Sequence, residues 1–165
     1  MCLFHATKSE LIVGDRMTDP WPTNYYIDVV SALESARPVG APSRREAFFA
    51  AESQEFAVFF LMAQNVLLDE LNLYRVDLPE SHKSPFALVH EISKHLEQGA
   101  PVVGALASEY WSPKLDWNFF EHFGSEMLVR EKIELPDLNT ISLTARFDRD
   151  VDRAASVASI RYSGA

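Results

Sequence analysis

The sequence predicts a mixed α+β fold with helices inserted between short strands, and three observations carry that expectation. Tyr26, Val29, Val30 and Leu33 fall at i, i+3, i+4 and i+7, one face of an amphipathic helix. Leu73-Tyr74-Arg75-Val76-Asp77-Leu78 alternates with period two, as a strand does, and Pro79 ends it. Proline and glycine at 19–22, 37–43 and 99–101 break the chain into short elements.

Taken in order, residues 2–6 are apolar and suit a short buried strand, and 9–15 form a helical turn or loop ending at Gly14. Asp19-Pro20-Trp21-Pro22 is a turn, because two prolines exclude a helix interior. The first helix spans about 24–36 and stops before Arg37-Pro38. The loop 37–43 is not a domain boundary, since neither side is large enough for its own core. Residues 46–51 read as a strand. Ser53 is then an N-cap, with Glu55 in the first turn where the helix dipole favours an acid. Phe56, Phe59, Phe60 and Ala63 make the apolar face of that helix, which ends near Gln64 or Leu68.

Further on, Ser84-Pro85 supplies an N-cap and a proline at the first helical position. Leu88, Val89, Ile92 and Leu96 form the buried face, and Gly99 with Pro101 closes the helix. A short helix at about 102–111 ends at Trp111-Ser112-Pro113. Trp117, Phe119, Phe120 and Phe123 cluster just before Glu126. Strands are expected at 126–135 and 140–148; in the second, Ile141, Leu143, Ala145 and Phe147 alternate with other residues. The small, polar tail 149–165 is expected to be an edge strand or disordered.

A length of 165 residues suggests one domain, 1–165, with one core. Hydrophobic residues make up 47% and charged residues 24%, which excludes neither a packed core nor solubility. Eleven Phe point to an aromatic-rich interior. The net charge of −9 argues against general nucleic-acid affinity. Cys2 is the single cysteine, so no internal disulfide forms and a reducing compartment is expected. There is no apolar run of about 18 residues and no basic segment leading into an apolar one. The expectation is a cytoplasmic protein without a membrane partner.

Some motifs fail on geometry. His90 and His95 flank Glu91-Ile92-Ser93-Lys94, but five residues place them about 140° apart around a helix, so no metal site is expected. Gly124-Ser125-Glu126 lacks the pattern of a nucleophile elbow. Taken singly, His5, the Phe residues, Arg44, Arg45 and Glu126 all have ordinary readings as core or surface.

Together they resemble the ADP-ribosyltransferase superfamily. Phe4-His5-Ala6-Thr7 resembles the aromatic-His-Gly-Ser/Thr first strand of poly-ADP-ribosyltransferases and rifampicin ADP-ribosyltransferases. The run from Leu3 to Gly14-Asp15 is similar to the opening of the rifampicin enzymes. Ala47-Phe48-Phe49-Ala50 resembles their Ile-Tyr-Phe-Ala/Ser strand, and Ser125-Glu126-Met127-Leu128-Val129 their Asn-Glu-Tyr-Ile-Val. Phe59 follows Phe48 at the spacing of a second ring-stacking aromatic. Pro42-Ser43-Arg44 and Tyr110-Trp111 are similar to an uncharacterised bacterial family of the superfamily. The likeness spans about residues 3–135.

That resemblance implies a split antiparallel β-core with peripheral helices, and NAD as cosubstrate. It implies transfer of ADP-ribose to a protein, nucleic acid or small molecule with release of nicotinamide, in a toxin, defence or drug-modifying role. Phe48 and Phe59 would sandwich nicotinamide, and the backbone at Ala6 would bond its carboxamide. His5 and Thr7 would bond ribose hydroxyls, and Arg44 or Arg45 the pyrophosphate. Glu126 would bond the 2′-hydroxyl and stabilise developing positive charge, while Glu121 and Glu131 would tolerate replacement. Three departures stand out: Ala6 for Gly, Phe48 for Tyr, and Phe56 where the family often has Ser. They suit the alternative of an inactive binding protein on the same fold. An RNA 2′-phosphotransferase would need several arginines at the substrate phosphate.

Overall fold

The structure, a computed structural model, describes residues 2–23, 26–98 and 100–163. In chain order the elements are β1 (Leu3–Thr7), β2 (Arg16–Met17), α1 (Ile27–Ser35), β3 (Phe48–Ala50), α2 (Gln54–Met62), β4 (Asn72–Asp77), β5 (His82–Pro85), α3 (Phe86–His95), α4 (Ala100–Trp111), β6 (Phe120–Gly124), β7 (Met127–Ile133) and α5 (Thr140–Ser163). Single 3₁₀ turns lie at Leu68–Glu70 and Leu96–Gln98. The fold is mixed α+β, with two antiparallel sheets ordered β1-β4-β7-β2 and β3-β6-β5. No helix among the described residues is long and apolar enough to cross a membrane.

The two sheets meet at one bridge. Phe4 and Ala51 exchange both backbone hydrogen bonds at 2.8 Å. Beyond it each strand keeps to its own sheet: His5 lies opposite Tyr74 on β4, while Phe49 lies opposite Phe123 on β6. This parting of β1 from β3 opens a cleft between them.

Each face has its own apolar cluster. Leu3, Phe48, Tyr74, Val76, Met127 and Val129 pack on one side of the first sheet. Phe56, Val58, Leu73, Phe86 and Phe119 pack beneath α2. There Phe56 stacks on Phe119 with centroids 4.3 Å apart, a contact contributing about 0.5–1.5 kcal/mol beyond burial. Leu33, Leu88, Ile92, Leu106 and Phe123 join α1, α3, α4 and the second sheet. Local signals account for several boundaries. Ser53 Oγ accepts from the Phe56 N–H at 3.0 Å and starts α2 as an N-cap should. Gly14, at φ +98°, makes a turn that returns its N–H to the Val129 carbonyl at 2.8 Å.

Four expectations are corrected. Residues 140–148 are not a strand, and the tail is neither an edge strand nor disordered as far as Ser163: both belong to α5. Leu143 and Phe147 satisfy the alternating pattern, but they also begin a helical face continued by Asp150, Val151, Ala154 and Ala158, while Ile141 is exposed. Asn139 starts that helix by accepting from the Ser142 N–H at 3.0 Å. Ser84 does not cap α3; it lies in β5 opposite Glu121, and Pro85 takes the N-cap position. Pro101 does not end α3 but sits in the first turn of α4, where a proline costs no helical hydrogen bond. The expected start of the first helix at residues 24 and 25, and the closing Gly99, lie outside the described residues.

Candidate functional site

A cleft of about 250 Å³ opens between β1, β3 and α2. Phe4, His5 and Ala6 form one wall, Ala47 to Ala51 another, and Phe56, Ala57, Phe60 and Leu61 a third. Trp21, half exposed in its Pro-flanked turn, stands at the rim, and the buried Arg44 and Glu121 reach the cleft from below.

His5 is buried, and its Nδ1 lies 2.5 Å from the Phe49 carbonyl. A carbonyl only accepts, so Nδ1 carries the proton and Nε2 presents a lone pair. Nε2 is buried without a partner. Burial pushes the imidazole pKa below its usual 6.5, and the Phe49 hydrogen bond opposes that only in part. The Trp21 indole lies parallel to the His5 ring, 6.5 Å away, and meets the Phe48 ring edge-on at 5.6 Å.

Arg44 belongs to a buried polar cluster. Its Nε donates to Glu121 Oε1 at 3.2 Å and to Tyr110 Oη at 3.1 Å, and its Nη2 donates to Glu121 Oε2 at 3.1 Å. The Tyr110 hydroxyl donates to Glu121 Oε1 at 2.8 Å. Burial disfavours the charged guanidinium, but Glu121 and Tyr110 outweigh it and Arg44 stays firmly protonated. Burial, then the Glu121 carboxylate, pushes the Tyr110 phenol well above its usual range. The guanidinium also lies over the Phe49 ring at 5.2 Å. Arg44 Nη1 remains buried with no partner.

The backbone here is stapled in place. The Arg44 N–H donates to Glu34 Oε1 at 2.7 Å, and its carbonyl accepts from Thr23 Oγ1 at 2.5 Å. Thr23 N–H in turn donates to the Arg45 carbonyl at 2.7 Å.

Of the residues singled out from sequence, His5, Ala6, Arg44 and Phe48 line this cleft. Thr7, Phe59 and Glu126 are not among the lining residues. Thr7 Oγ1 accepts from the Ser9 N–H at 3.1 Å. Phe59 packs on Phe56 and Phe147, and its neighbour Phe60 lines the cleft instead. Glu126 is gripped by Arg16, whose Nη2 lies 2.7 and 2.9 Å from its two oxygens. Arg44 is enclosed and paired rather than offered at the surface, while Arg45 is exposed. Glu121, expected to tolerate replacement, is the buried counter-ion of Arg44; Glu131 is exposed and pairs with Arg75 at 3.2 Å. In the 90–95 helix, His95 Nε2 lies 2.9 Å from Glu91 Oε1, and His90 Nδ1 lies 2.6 Å from the Tyr26 hydroxyl.

Sequence reasoning missed Trp21, Phe60 and Glu121. Phe60 carries the same helical signal as Phe59, one residue on. Glu121 did have a signal: a carboxylate inside Phe119-Phe120-Glu121-His122-Phe123 requires a partner if the aromatic run is buried. Trp21 had none beyond its place between two prolines.

The cleft is lined by the rings of Trp21, Phe48 and Phe60, and two of its other lining residues, His5 and Arg44, each carry a buried polar atom without a partner. No protein-family model and no curated protein matches the chain.

Proposed function

We propose that the protein uses NAD as cosubstrate, seats its nicotinamide ring in the β1–β3–α2 cleft, and transfers ADP-ribose to an acceptor. Support comes above all from one observation: an unpartnered, neutral His5 Nε2 at the wall of an aromatic cleft, on the strand whose sequence resembles the superfamily's first motif. The residues present suit a nicotinamide ring. Trp21, Phe48 and Phe60 supply apolar faces, and His5 and Arg44 supply an acceptor and a donor. NAD brings a glycosidic bond to nicotinamide that breaks as ADP-ribose is passed on. The chain's own part is to hold the ring, exclude water from its faces and bring a carboxylate to the ribose.

Glu126 is the carboxylate proposed for that last task. Release from Arg16 would free it, since an exposed pair of this kind contributes only about 0–1 kcal/mol. The same pairing favours a second reading, in which the cleft binds NAD without turning it over. The assay is nicotinamide release from NAD by wild-type protein and by Glu126→Gln. Transfer predicts measurable release that falls about 10²–10³-fold in the variant, with NAD affinity little changed. Binding without release supports the second reading, and neither binding nor release at millimolar NAD removes both.

A further inference from the structure

The two sheets part a second time, on the Leu3 side of the Phe4–Ala51 bridge. A groove of about 500 Å³ opens there, lined by Leu3, Leu78, Pro79 and Leu128 together with Lys83 and His122. Among the described residues it shares none with the cleft. We propose that this groove is a second binding site, for an uncharged molecule with an aliphatic body and a hydroxyl group that donates to His122.

His122 carries the argument. It lies mid-sheet on β6, between Ala50 of β3 and Lys83 of β5, and is 5% exposed although it lines the groove. Its Nε2 lies 2.8 Å from Glu52 Oε1. A carboxylate only accepts, so Nε2 holds the proton. Burial lowers the pKa of the ring below 6.5, against the Glu52 hydrogen bond and charge and with help from Lys83. At pH 7.5 the ring is therefore neutral, and its lone pair is on Nδ1. That atom has no partner among the described residues, and it is not sealed from solvent as His82 Nε2 is. Glu52 thus fixes the tautomer that leaves an acceptor free at the groove, and such an acceptor calls for a donor.

Charge narrows the choice. Lys83 Nζ lies 3.8 Å from Glu52 Oε1 and 4.5 Å from the centre of the Phe120 ring. Asp77, which also lines the groove, accepts from Arg130 Nε at 2.6 Å. The two ion pairs balance, so the groove carries no net charge to attract an ion. An anion would lie near the Glu52 and Asp77 carboxylates, and a cation near Lys83. A hydroxyl brings the donor without a charge, and the leucine and proline walls suit an alkyl body. The volume falls within the roughly 300–1,000 Å³ of small-molecule sites.

The test uses the full chain at pH 7.5 and three probes that share one alkyl chain: hexanol, hexanoate and hexylamine. Imidazole nitrogen resonances are followed by NMR during each titration. The His122 signals are identified by their loss in His122→Phe, or by their response to Glu52→Gln if the first variant does not fold. Hexanol should shift His122 Nδ1, leave His5 unmoved and bind at least about 5-fold more tightly than either ion. His122→Phe keeps a ring in place but removes the acceptor, and should bring the three affinities together. Binding of hexanoate or hexylamine as tight as that of hexanol overturns the proposal. So does a hexanol preference that survives in folded His122→Phe. A shift at His5 alone would put the probe in the first cleft, and no shift at His122 with any probe would mean that the groove holds only water; either result also overturns it.

Discussion

Glu121 and Asp150 are both about 2% exposed, yet they are held in opposite ways. Asp150, on α5, faces the segment leading into β6 and accepts from the N–H groups of Asn118 at 2.9 Å and Phe119 at 3.0 Å. It also accepts from Asn118 Nδ2 at 3.1 Å. That carboxylate is surrounded by donors that bond it, and it ties a helix to a strand. Glu121 is matched to Arg44 and Tyr110, and the group it neutralises keeps a donor in reserve. Buried polar groups that close on themselves serve the fold. The Arg44 cluster differs in keeping one buried donor, Nη1, without a partner beside a cleft.

The largest way to break this contrast is Glu121→Gln. It leaves Arg44 as an uncompensated buried cation, which should destabilise the protein by about 3–5 kcal/mol in urea unfolding. The double variant Arg44→Met/Glu121→Leu should recover most of the loss, since apolar replacement of a whole buried pair is often neutral. A loss under about 1 kcal/mol in the single variant would mean that water reaches the pair and screens it.

Asp150→Asn should cost less, about 1–3 kcal/mol, because the amide oxygen still accepts while its NH₂ confronts other donors. Ligand-induced thermal shifts in the cleft should be unchanged once the lower baseline is subtracted. A lost shift would mean that the α5 anchor and the cleft are energetically coupled.

The finest comparison is by pH. The pKa of His5 is lowered in the fold by burial, so between that value and 6.5 the unfolded chain binds more protons than the native one. Stability from this group is complete above pH 6.5 and is lost as pH falls. Burial likewise lowers His82, His90 and His122, which adds to the same slope. Asp150 works the other way: burial raises its pKa above 3.8 despite its hydrogen bonds, so its contribution improves as pH falls through the raised value. Melting temperature measured from pH 7.5 to 5.5 should fall in wild type and fall less steeply in His5→Phe. Equal slopes would show that His5 is not buried as a neutral ring.

Where each residue's local pattern and its final environment agreed, the sequence was readable. Strands β4 and β7 and the bodies of α1 to α3 show periodicity that survives folding, while β1 and β3 were legible as short apolar runs. β6 was missed as a strand because both its faces meet protein, so burial there does not alternate: Glu121, His122 and Phe123 are consecutive and all buried; β5 was missed because Ser84-Pro85 carries the local signal of a helix start. α5 was misread because Leu143 and Phe147 fit periods of two and four alike. Within the cleft, His5, Ala6, Arg44 and Phe48 were legible from strand motifs. Trp21 and Glu121 were not, because they reach the site from a turn and from the second sheet, and only tertiary pairing reveals that.

The staple at Arg44 also governs where this chain can change length over evolutionary time. Residues 37–40 form an exposed loop lying before the fixed point, so insertions there can bulge outward without disturbing β3. Between Arg45 and Ala47 there is no such slack, because Thr23 and Pro22 hold the segment at Arg45 and Glu46. One added residue would shift β3 by one position and exchange the directions of Phe48 and Phe49, which now pack into different apolar clusters. Homologues should therefore vary freely in the first stretch and keep constant spacing in the second.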